Sequence, residues 1–438
     1  MDDLDPWRKA LQSFAELRDI FKSFERYLIP DSAKPLGVAV SGGGDSVALL
    51  CLLHLWGKRP LEVFCVDHGL NPQSAGWCAQ VEALAHHLGH GFSKLDWIGD
   101  KPATGIQAAA RQARHGLLAE AARGKGIEVL CLGHNRDDIR EAHLMRDMGS
   151  SVGTPEMWAP SPVWPQGRGV FIYRPLLNVP RQRLRDWLTT IGVGWVDDPA
   201  NDNPKFLRSR ARTELTGREP AALNLPDALI NISEFLSVPQ TLGWSGILTM
   251  EADYLLNLPQ AAAHKVMAAA MVSAGGGARL PRSDSVAAIV SGLKRGEAGP
   301  FVLSGARLIW CENTILIGRE PGDMTRRAVT PLTLAPDTAD MWDGRFEVRA
   351  GTRPVTVMAV QGHKGALSEV DLAQYLQVPA GLRGALPVVK MGSETGNRLV
   401  LLSEPDNSDG VTLRSWVALR FLYALGQVAN EYDLLRRL

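Results

Sequence analysis

The sequence predicts a doubly wound parallel α/β sheet that is followed by a mostly helical region and a small C-terminal α+β region. Apolar runs with strand character alternate with helical patterns from residue 36 to residue 150, which is typical of βαβ units in a parallel sheet. The section 232–295 has the periodicity of consecutive helices. The section 300–318 then changes to the period of two that indicates a hairpin.

The chain has 438 residues, more than one hydrophobic core usually organises, so several domains are expected. We place the first domain at residues 1–215, a mostly helical domain with a hairpin at 225–325, and an α+β domain at 340–438. The first domain opens with an amphipathic helix at 7–29, and the last closes with one at 411–438. Between them the first domain has strands predicted near 61–66, 91–97 and 129–132 and helices near 46–56, 73–88, 106–123 and 181–191.

The first domain is organised around the stretch Val38–Leu50. A short apolar strand ends at Val40, three glycines follow, and an apolar helical pattern begins directly after them. Glycine lets the backbone approach a ligand closely, and the N-terminus of the following helix favours an anion. A carboxylate in such a loop can hold a magnesium ion on the bound phosphates, a role that falls to Asp45. The residues predicted to bind the phosphates of ATP are Ser41, Gly42, Gly43, Gly44, Asp45 and Ser46.

This loop is not of the Walker type, because it contains no lysine and no Gly-Lys-Ser/Thr follows it. A loop without lysine suits an enzyme that cleaves ATP between its α and β phosphates and holds the pyrophosphate. The alternative is a glycine-rich turn without a ligand. A structural turn, however, needs one glycine rather than three that are flanked by Ser and Asp-Ser.

Polar residues also follow two other predicted strands of this domain. His68 comes after the strand at 61–66, whereas His134, Asp138 and Glu141 come after the strand at 129–132. Ligands of open α/β sheets bind at the carboxyl ends of the strands, so we expect these side chains near the phosphate loop. The alternative for His68 is a position in a solvated loop, and the alternative for the two carboxylates is helix capping.

Arginines form two further candidate sites. Arg111 and Arg114 are three residues apart and share one face of the helix predicted at 106–123, where a solvated face is the alternative. Basic residues outnumber acidic ones between residues 168 and 218, although the formal net charge of the chain is zero. This region would contact the phosphates of RNA or simply be solvated. Its last basic run consists of Arg208, Arg210 and Arg212.

The five cysteines form no C-x-x-C pair, which argues against a zinc knuckle or an iron–sulfur site. Several of them lie in apolar runs and are most simply core thiols in a reducing compartment. The acidic N-terminus is not a signal peptide, and no apolar run approaches the roughly 18 residues that span a bilayer. We therefore expect a cytoplasmic protein without a membrane segment.

Taken together, these motifs resemble the tRNA(Ile)-lysidine synthetases, a family of N-type ATP pyrophosphatases with a Rossmann-like PP-loop domain. The resemblance covers residues 36–212, whereas the C-terminal half matches only loosely. The sequence departs from the family pattern at Ala142, where threonine is usual, and in the Pro/Trp-rich loop at 149–172. The matching motifs are SGGGDS at 41–46, VDHGL at 66–70, AAARQARH at 108–115, GHNRDD-x-x-E at 133–141, RPLL at 174–177 and WVDDPANDN…RSRAR at 195–212.

The resemblance implies that free L-lysine is joined to C2 of the wobble cytidine of an isoleucine tRNA with a CAU anticodon. The C2 carbonyl would attack the α-phosphorus of ATP and release pyrophosphate, and the ε-amine of lysine would then displace AMP. ATP and Mg²⁺ would be the cofactors, His68 would lie at the ATP site, and both C-terminal domains would bind tRNA. The oligomeric state stays open, a homodimer included. The catalytic residues would be Asp45, Asp138, Glu141, Arg111 and His134, and the tRNA contacts in the first domain Arg174, Arg208, Arg210 and Arg212.

Three other functions are compatible with the phosphate loop. A tRNA thiolase would be expected to use paired cysteines, which the sequence lacks. An amidotransferase-type synthetase would need a glutaminase domain or partner, and it would leave the basic region without a role. A non-catalytic tRNA-binding protein with a decayed loop is disfavoured because the Ser-Gly-Gly-Gly-Asp-Ser stretch is intact.

Overall fold

The computed structural model describes residues 4–150, 152–197, 207–215, 240–393, 396–401 and 410–437. The chain forms two compact units. The first comprises residues 1–227 together with 428–438, and the second comprises residues 228–427. The first unit therefore contains the predicted phosphate loop and also the last residues of the chain.

The first unit is built on a six-stranded sheet with the order β3-β2-β1-β4-β6-β5. All neighbouring pairs are parallel except β5 and β6, which are antiparallel. The chain runs outward from β1 to β3 and then crosses back to β4, so the topology switches between β1 and β4. Ligands of such sheets bind at this switch point. The strands are β1 (Leu36–Ala39), β2 (Leu61–Asp67), β3 (Gly91–Asp96), β4 (Val129–Leu132), β5 (Trp158–Pro160) and β6 (Phe171–Tyr173).

The helices that connect these strands confirm the predicted doubly wound architecture. The helix after β1 is apolar on every side and has almost no exposed residue, as expected for a helix buried between the sheet and other helices. The predicted helix at 7–29 is two helices rather than one, because the chain breaks between Leu11 and Ala15. The helices are α1 (Asp5–Leu11), α2 (Ala15–Tyr27), α3 (Gly44–Trp56), α4 (Ser74–His87), α5 (Ile106–Gly124), α6 (Arg136–Asp147), α7 (Arg181–Thr190) and α8 (Leu207–Leu215).

The second unit begins with helices packed on a four-stranded antiparallel sheet with the order β7-β10-β9-β8. The strands predicted at 300–318 are β8 to β10, and the edge strand β7 was not predicted. The helix predicted at 232–238 lies outside the described residues. These elements are β7 (Leu248–Glu251), α9 (Ala252–Asn257), α10 (Gln260–Gly275), α11 (Ser283–Lys294), β8 (Phe301–Leu303), β9 (Ala306–Cys311) and β10 (Thr314–Arg319).

The rest of the second unit contains two small antiparallel sheets, with the orders β11-β14-β15-β16 and β12-β13-β17. Their elements are α12 (Pro321–Arg326), β11 (Leu332–Leu334), β12 (Ala339–Trp342), β13 (Phe346–Arg349), β14 (Val355–Ala359), α13 (Glu369–Gln377), α14 (Ala380–Arg383), β15 (Pro387–Ser393), β16 (Gly396–Val400), β17 (Thr412–Ser415) and α15 (Val417–Ala424).

The single helix predicted at 411–438 is wrong. Its first residues form β17, which pairs with β13, and α15 ends just before Gly426, whose φ of +77° is a left-handed conformation that stops a helix. A separate helix, α16 (Glu431–Arg437), follows. Hydrophobic periodicity continued across this break and concealed it.

Helix α16 belongs to the first unit, where it is held by a buried ion pair. The side chains of Arg59 and Glu431 are 1% and 2% exposed, with 3.1 Å between Nη1 and Oε2. Glu431 also accepts a hydrogen bond from the amide of Ile29 at 2.7 Å, and Arg59 donates to the carbonyls of Ile29 and Lys34. Every charge of the pair is thus satisfied, which burial of an ion pair requires.

A pair of half-buried histidines in the first unit makes the stability of that unit depend on pH. Nδ1 of His54 lies 2.9 Å from Nε2 of His90. Burial, with the neighbouring ring as a second cause, lowers the pKa of His90 to about 4, and burial also lowers the pKa of His54. Below the ordinary histidine pKa the unfolded chain therefore binds protons that the folded chain does not. Stability is retained above about pH 6.5 and is lost as the pH falls toward 4.

The His90→Gln variant is expected to lose less stability than the wild type between pH 7 and pH 5. The difference should be about 1 kcal/mol, because solvent screens part of the effect at half-exposed rings. Urea unfolding at several pH values measures it. The exposed His86, changed to Gln, is the control. Parallel stability curves for the wild type and His90→Gln would contradict the assignment.

Candidate active site

The phosphate loop, Ser41–Ser46, connects the carboxyl end of β1 to the first turn of α3. The Ser46 hydroxyl donates a hydrogen bond to the Gly43 carbonyl (2.8 Å) and accepts one from the Ser41 amide (3.2 Å). One side chain therefore ties both ends of the loop together. Gly42 has a φ of +86°, a conformation that favours glycine. The loop so formed leads into a helix N-terminus, where anions are stabilised.

The loop is held in place by its neighbours at the switch point of the sheet. Gly133, just after β4, packs so closely that an added Cβ would lie 2.9 Å from the Asp45 carbonyl oxygen. The amide of Val196 donates a hydrogen bond to the carbonyl of Gly42 at 2.9 Å. The structure thus brings the loop after β4 next to the phosphate loop, as the predicted strand order required.

Helix α6 begins with a capping box that uses one oxygen of Asp138. Asn135 accepts hydrogen bonds from the amides of Asp137 (2.9 Å) and Asp138 (3.2 Å), and Oδ2 of Asp138 accepts one from the Asn135 amide (2.8 Å). The structural interpretation of Asp138 as a helix-capping residue therefore holds for Oδ2. Oδ1 is left for other contacts, and these contacts define the centre of the site.

Three carboxylates and three arginines form this centre, which we call the carboxylate–arginine cluster. Arg181, the first residue of α7, contacts all three carboxylates. Its guanidinium lies 3.2 Å from Asp45 Oδ2, 3.1 Å from Glu141 Oε1 and 3.4 Å from Asp138 Oδ1. It links the phosphate loop to α6 through one side chain. The members of the cluster are Asp45, Asp138, Glu141, Arg181, Arg208 and Arg212.

The other two arginines come from α8, which packs on α6. Arg208 donates to Glu141 Oε2 at 2.7 Å and to Asp138 Oδ1 at 2.5 Å. Arg212 donates to Glu141 Oε1 at 3.0 Å. Glu141 is 1% exposed, and each of its oxygens has a cation beside it. The structure thus places Arg208 and Arg212, which the sequence analysis assigned to tRNA, against the predicted catalytic carboxylates.

The pKa values of two carboxyl groups in this cluster are shifted in opposite directions. Burial, opposed by Arg181 and reinforced by the nearby Asp138, raises the pKa of Asp45 to about 6. Burial also disfavours the charged form of Glu141, but Arg208 and Arg181 outweigh it and hold the pKa of Glu141 below its usual range. Glu141 is therefore ionised at neutral pH. Oδ1 of Asp45 is buried and has no hydrogen-bond partner among the described residues.

A second group contains three arginines that form no ion pair with the described carboxylates, together with two histidines, and we call it the cationic cluster. It consists of Arg111, Arg114, His115, His134 and Arg174. The first three are on α5, and the other two directly follow β4 and β6. These groups interact electrostatically. Burial is the largest cause that lowers the pKa values of both histidines, and the neighbouring arginines are the next. Arg111 and His134, which the sequence analysis proposed as catalytic residues, thus lie in one cluster with Arg174, which it assigned to tRNA.

The remaining predicted residues have different surroundings. His68 is half-buried, and its ring centroid lies 6.0 Å from that of Trp97. Burial is the largest cause that lowers the pKa of His68, and the charge of Arg114 is the second. It therefore borders the cationic cluster. Arg210 is exposed on α8. The segment 198–206, which contains much of the WVDDPANDN motif, lies outside the described residues.

Sequence reasoning missed Arg181, although this arginine contacts all three carboxylates of the carboxylate–arginine cluster. One signal could have revealed it. Arg181 follows Pro180 at a helix start, where basic residues are disfavoured by the helix dipole unless another interaction holds them. Its backbone amide also donates to Asp137 Oδ2 at 2.8 Å, so the start of α7 is docked on the start of α6.

Two kinds of feature are absent from the described part of the chain. Among the described residues, no group of three or more His, Cys, Asp or Glu side chains is arranged to hold a metal ion. None of the described helices is long and apolar enough to cross a membrane.

The fold and the loop define the class of protein. A parallel sheet with a lysine-free glycine loop at its switch point is an ATP-binding domain of the PP-loop class. Residues 15–219 match the PP-loop domain family. Among solved structures, the chain is similar to the U34-tRNA thiolase NcsA from Methanococcus maripaludis, with 15% identity, a TM-score of 0.38 and coverage of 46% of this chain and 72% of that one.

Curated relatives give a narrower assignment. A tRNA(Ile)-lysidine synthase from Caulobacter vibrioides is 39% identical over 420 residues, which cover 95% of this chain and 99% of that protein. One from Hyphomonas neptunium is 34% identical, covering 69% and 87%, and one from Rhizobium meliloti is 30% identical, covering 88% of each. The chain belongs to the tRNA(Ile)-lysidine synthase family, the family that its motifs resemble.

Proposed function

We propose that this enzyme joins L-lysine to C2 of the wobble cytidine of an isoleucine tRNA, with ATP cleaved to AMP and pyrophosphate. The C2 carbonyl oxygen attacks the α-phosphorus, and the bond to the pyrophosphate breaks. The lysine ε-amine then bonds to C2, AMP leaves, and the amine loses its proton. One observation carries this proposal: the guanidinium of Arg181 lies 3.2 Å from Asp45 Oδ2 in the phosphate loop and 3.1 Å from Glu141 Oε1. The residues that we propose for ATP and for the amine of lysine are therefore adjacent.

The phosphate loop would bind ATP through backbone amides and through the first turn of α3. Ser41, Asp45 and Ser46 would contribute their side chains. Gly42, Gly43 and Gly44 would allow the phosphates to approach the backbone closely. The unpartnered Oδ1 of Asp45 fits a Mg²⁺ ligand, since Mg²⁺ in such sites is held by one or two carboxylates and by phosphates. A bound Mg²⁺ would neutralise charge on the phosphates. His68 would border the nucleotide from the end of β2.

Asp138 and Glu141 would hold the ammonium group of lysine and accept its proton. Both carboxyl groups pair with arginines in this structure, so the incoming ammonium must compete with a guanidinium. Arg208 is the most accessible competitor, with a side chain 42% exposed against 16% for Arg181 and 33% for Arg212. Loss of Arg208 from Glu141 would restore hydrogen-bonding capacity to Oε2. It would also raise the proton affinity of the carboxylate.

The two steps develop negative charge on the phosphates, first on the leaving pyrophosphate and then on the leaving AMP. Arg111 and His134 would stabilise this charge, because positioned cations and N–H donors are most effective where water is excluded. Arg174 and the exposed Arg210 would contact tRNA, together with Arg208 and Arg212 once these leave the carboxylates. The second unit would hold the body of the tRNA.

Transfer of labelled lysine to a CAU-anticodon isoleucine tRNA transcript, with ATP and Mg²⁺, tests the proposal. We expect labelled tRNA only when ATP is present, and none when the anticodon cytidine is replaced by uridine. The expected co-product is AMP, in a one-to-one ratio to the lysine transferred. Pyrophosphate release that needs tRNA but gives no lysine product would indicate a different nucleophile, such as the sulfur of a thiolase reaction. Absence of both activities would favour a non-catalytic tRNA-binding protein.

A further inference from the structure

Two arginines at the centre of the cationic cluster have buried atoms without partners. Arg174 is 6% exposed and donates one hydrogen bond, from Nη1 to the carbonyl of Glu156 at 2.8 Å. Its Nε is buried and has no partner among the described residues, and the same holds for Nε of Arg114. No described carboxylate lies within 4 Å of either guanidinium, which distinguishes them from the ion-paired Arg181 and Arg208.

The histidines of the cluster share this lack of partners. His115 is 2% exposed, and neither of its ring nitrogens has a hydrogen-bond partner among the described residues. Nδ1 of His134 is likewise buried and unpartnered. Burial, with the neighbouring arginines as the second cause, keeps the pKa values of both rings far below the ordinary histidine value. The rings are therefore neutral at pH 7 and offer N–H donors without adding charge.

The arginines remain charged under the same conditions. Burial is the main cause that lowers the pKa of Arg114 and of Arg174 to about 10, with Arg111 the second cause for each. Asp138 favours the charge of Arg114 and Glu156 that of Arg174, but burial outweighs both carboxylates. Buried guanidinium groups without an ion pair are costly, and so are like charges placed together. A fold can retain such a group when an anion supplies the missing partners in the working state. Orphaned buried donors at functional sites are typical of this situation.

We infer that Arg114 and Arg174 form the floor of a buried phosphate-binding site, in which His115 and His134 supply neutral donors and Arg111 lies at the more exposed side. The inference rests on the proposed function for the identity of the phosphate, but not for the existence of the site. Guanidinium groups match phosphate oxygens through paired N–H donors. Three guanidinium groups also exceed what the single charge of a lysine carboxylate would neutralise.

Two substrates carry a phosphate that could reach this site. One is the α-phosphate of ATP, because His134 follows Gly133, which packs on the phosphate loop. The other is the tRNA backbone next to the modified cytidine. The chemistry is the same for both, so the experiment must separate them.

The test compares Arg114→Gln and Arg174→Gln with wild type, with the exposed Arg18, on α2, changed to Gln as control. Affinity for the tRNA transcript is measured against salt concentration without ATP. The KM for ATP is measured by tRNA-dependent pyrophosphate release without lysine. If tRNA supplies the phosphate, the slope of log affinity against log salt should become shallower by about one. If ATP supplies it, the KM for ATP should rise about 10- to 100-fold with an unchanged slope.

A stability measurement shows that the variants are folded. Arg114→Gln removes a charge that forms no ion pair with the described residues, so the free enzyme should melt at the same temperature as the wild type or higher. Arg114→Lys keeps the charge but loses the paired donors. It should therefore show a smaller defect of the same kind as Arg114→Gln. Unchanged slope and unchanged KM for ATP in both Gln variants would overturn the inference. A defect confined to the KM for lysine would also overturn it, by assigning the site to a carboxylate.

These readouts distinguish failure of the inference from failure of the proposed function. Neither tRNA affinity nor pyrophosphate release depends on lysine as the nucleophile. A wild-type enzyme that transfers no lysine but still shows the predicted Arg114 defect would refute the proposed function and retain the phosphate site. Lysine transfer that persists with normal salt slope and normal KM for ATP in Arg114→Gln would do the reverse.

Discussion

The Asp45→Asn variant is expected to release pyrophosphate from ATP about 10²–10³ times more slowly than the wild type in the presence of tRNA. Asparagine keeps the size of the side chain and can still accept the hydrogen bond of Arg181, which lies 3.2 Å from Oδ2. It removes the negative charge that the unpartnered Oδ1 would offer to Mg²⁺ on the phosphates. The expected loss therefore comes from one charge rather than from a collapsed loop.

The rate should be measured at several Mg²⁺ concentrations, because a weakened Mg²⁺ ligand is partly compensated by more Mg²⁺. The control is Asp19→Asn, which alters an exposed carboxylate paired with the exposed Lys22 and should change the rate little. A normal rate in Asp45→Asn at low Mg²⁺ would remove Asp45 from the ATP site. A low rate that is accompanied by a lower melting temperature would point to a structural role instead.

The architecture of the first unit was predictable because its determinants are local. A buried strand, a glycine loop and an apolar helix are consecutive in the sequence around Val40, and each later strand is followed by a helical pattern. The strand order then places His134 and Asp138 beside the phosphate loop without further information. The prediction of one helix at 411–438 was wrong for the same reason, since a local pattern cannot reveal that one part of it pairs with β13.

The carboxylate–arginine cluster was only partly predictable, because ion pairing is decided by tertiary contacts. Asp138 and Glu141 were identified as a pair on one helix face, and the structure confirms that spacing. Their partners could not be read from the sequence. Arg181 and Arg208 are 40 and 67 residues away from Glu141 along the chain. The basic run at Arg208 was a candidate for RNA binding and for a solvated face, and contact with carboxylates was a third possibility that charge counts do not reveal.

Asp138 shows why the structural and functional interpretations of one residue need not exclude each other. One oxygen completes the capping box of α6 and so fixes the side chain, while the other faces two arginines. A carboxylate held by a backbone amide has little rotamer freedom left to lose when a ligand binds. The capping interaction thus prepares the residue for the role that we propose.

The Glu431→Ala variant is expected to destabilise the first unit by about 3–5 kcal/mol, because it leaves the buried Arg59 without its counter-charge. The ion pair has 1% and 2% exposed side chains, so water cannot replace the lost carboxylate. The amide of Ile29 would lose its acceptor as well. Hydrogen exchange of the amides in β1 and β2 measures the effect within this unit, independently of the second one.

The double variant Arg59→Met/Glu431→Met provides the matched control. Replacing both partners by apolar residues of similar volume is often neutral, so much of the stability should return if the unpaired charge is the cause. Both variants should keep the KM for ATP at low temperature, since Arg59 precedes β2 and the phosphate loop follows the opposite end of β1. If Glu431→Ala exchanges as slowly as wild type, α16 does not stabilise the first unit. The chain end would then not belong to the folding unit that contains the phosphate loop.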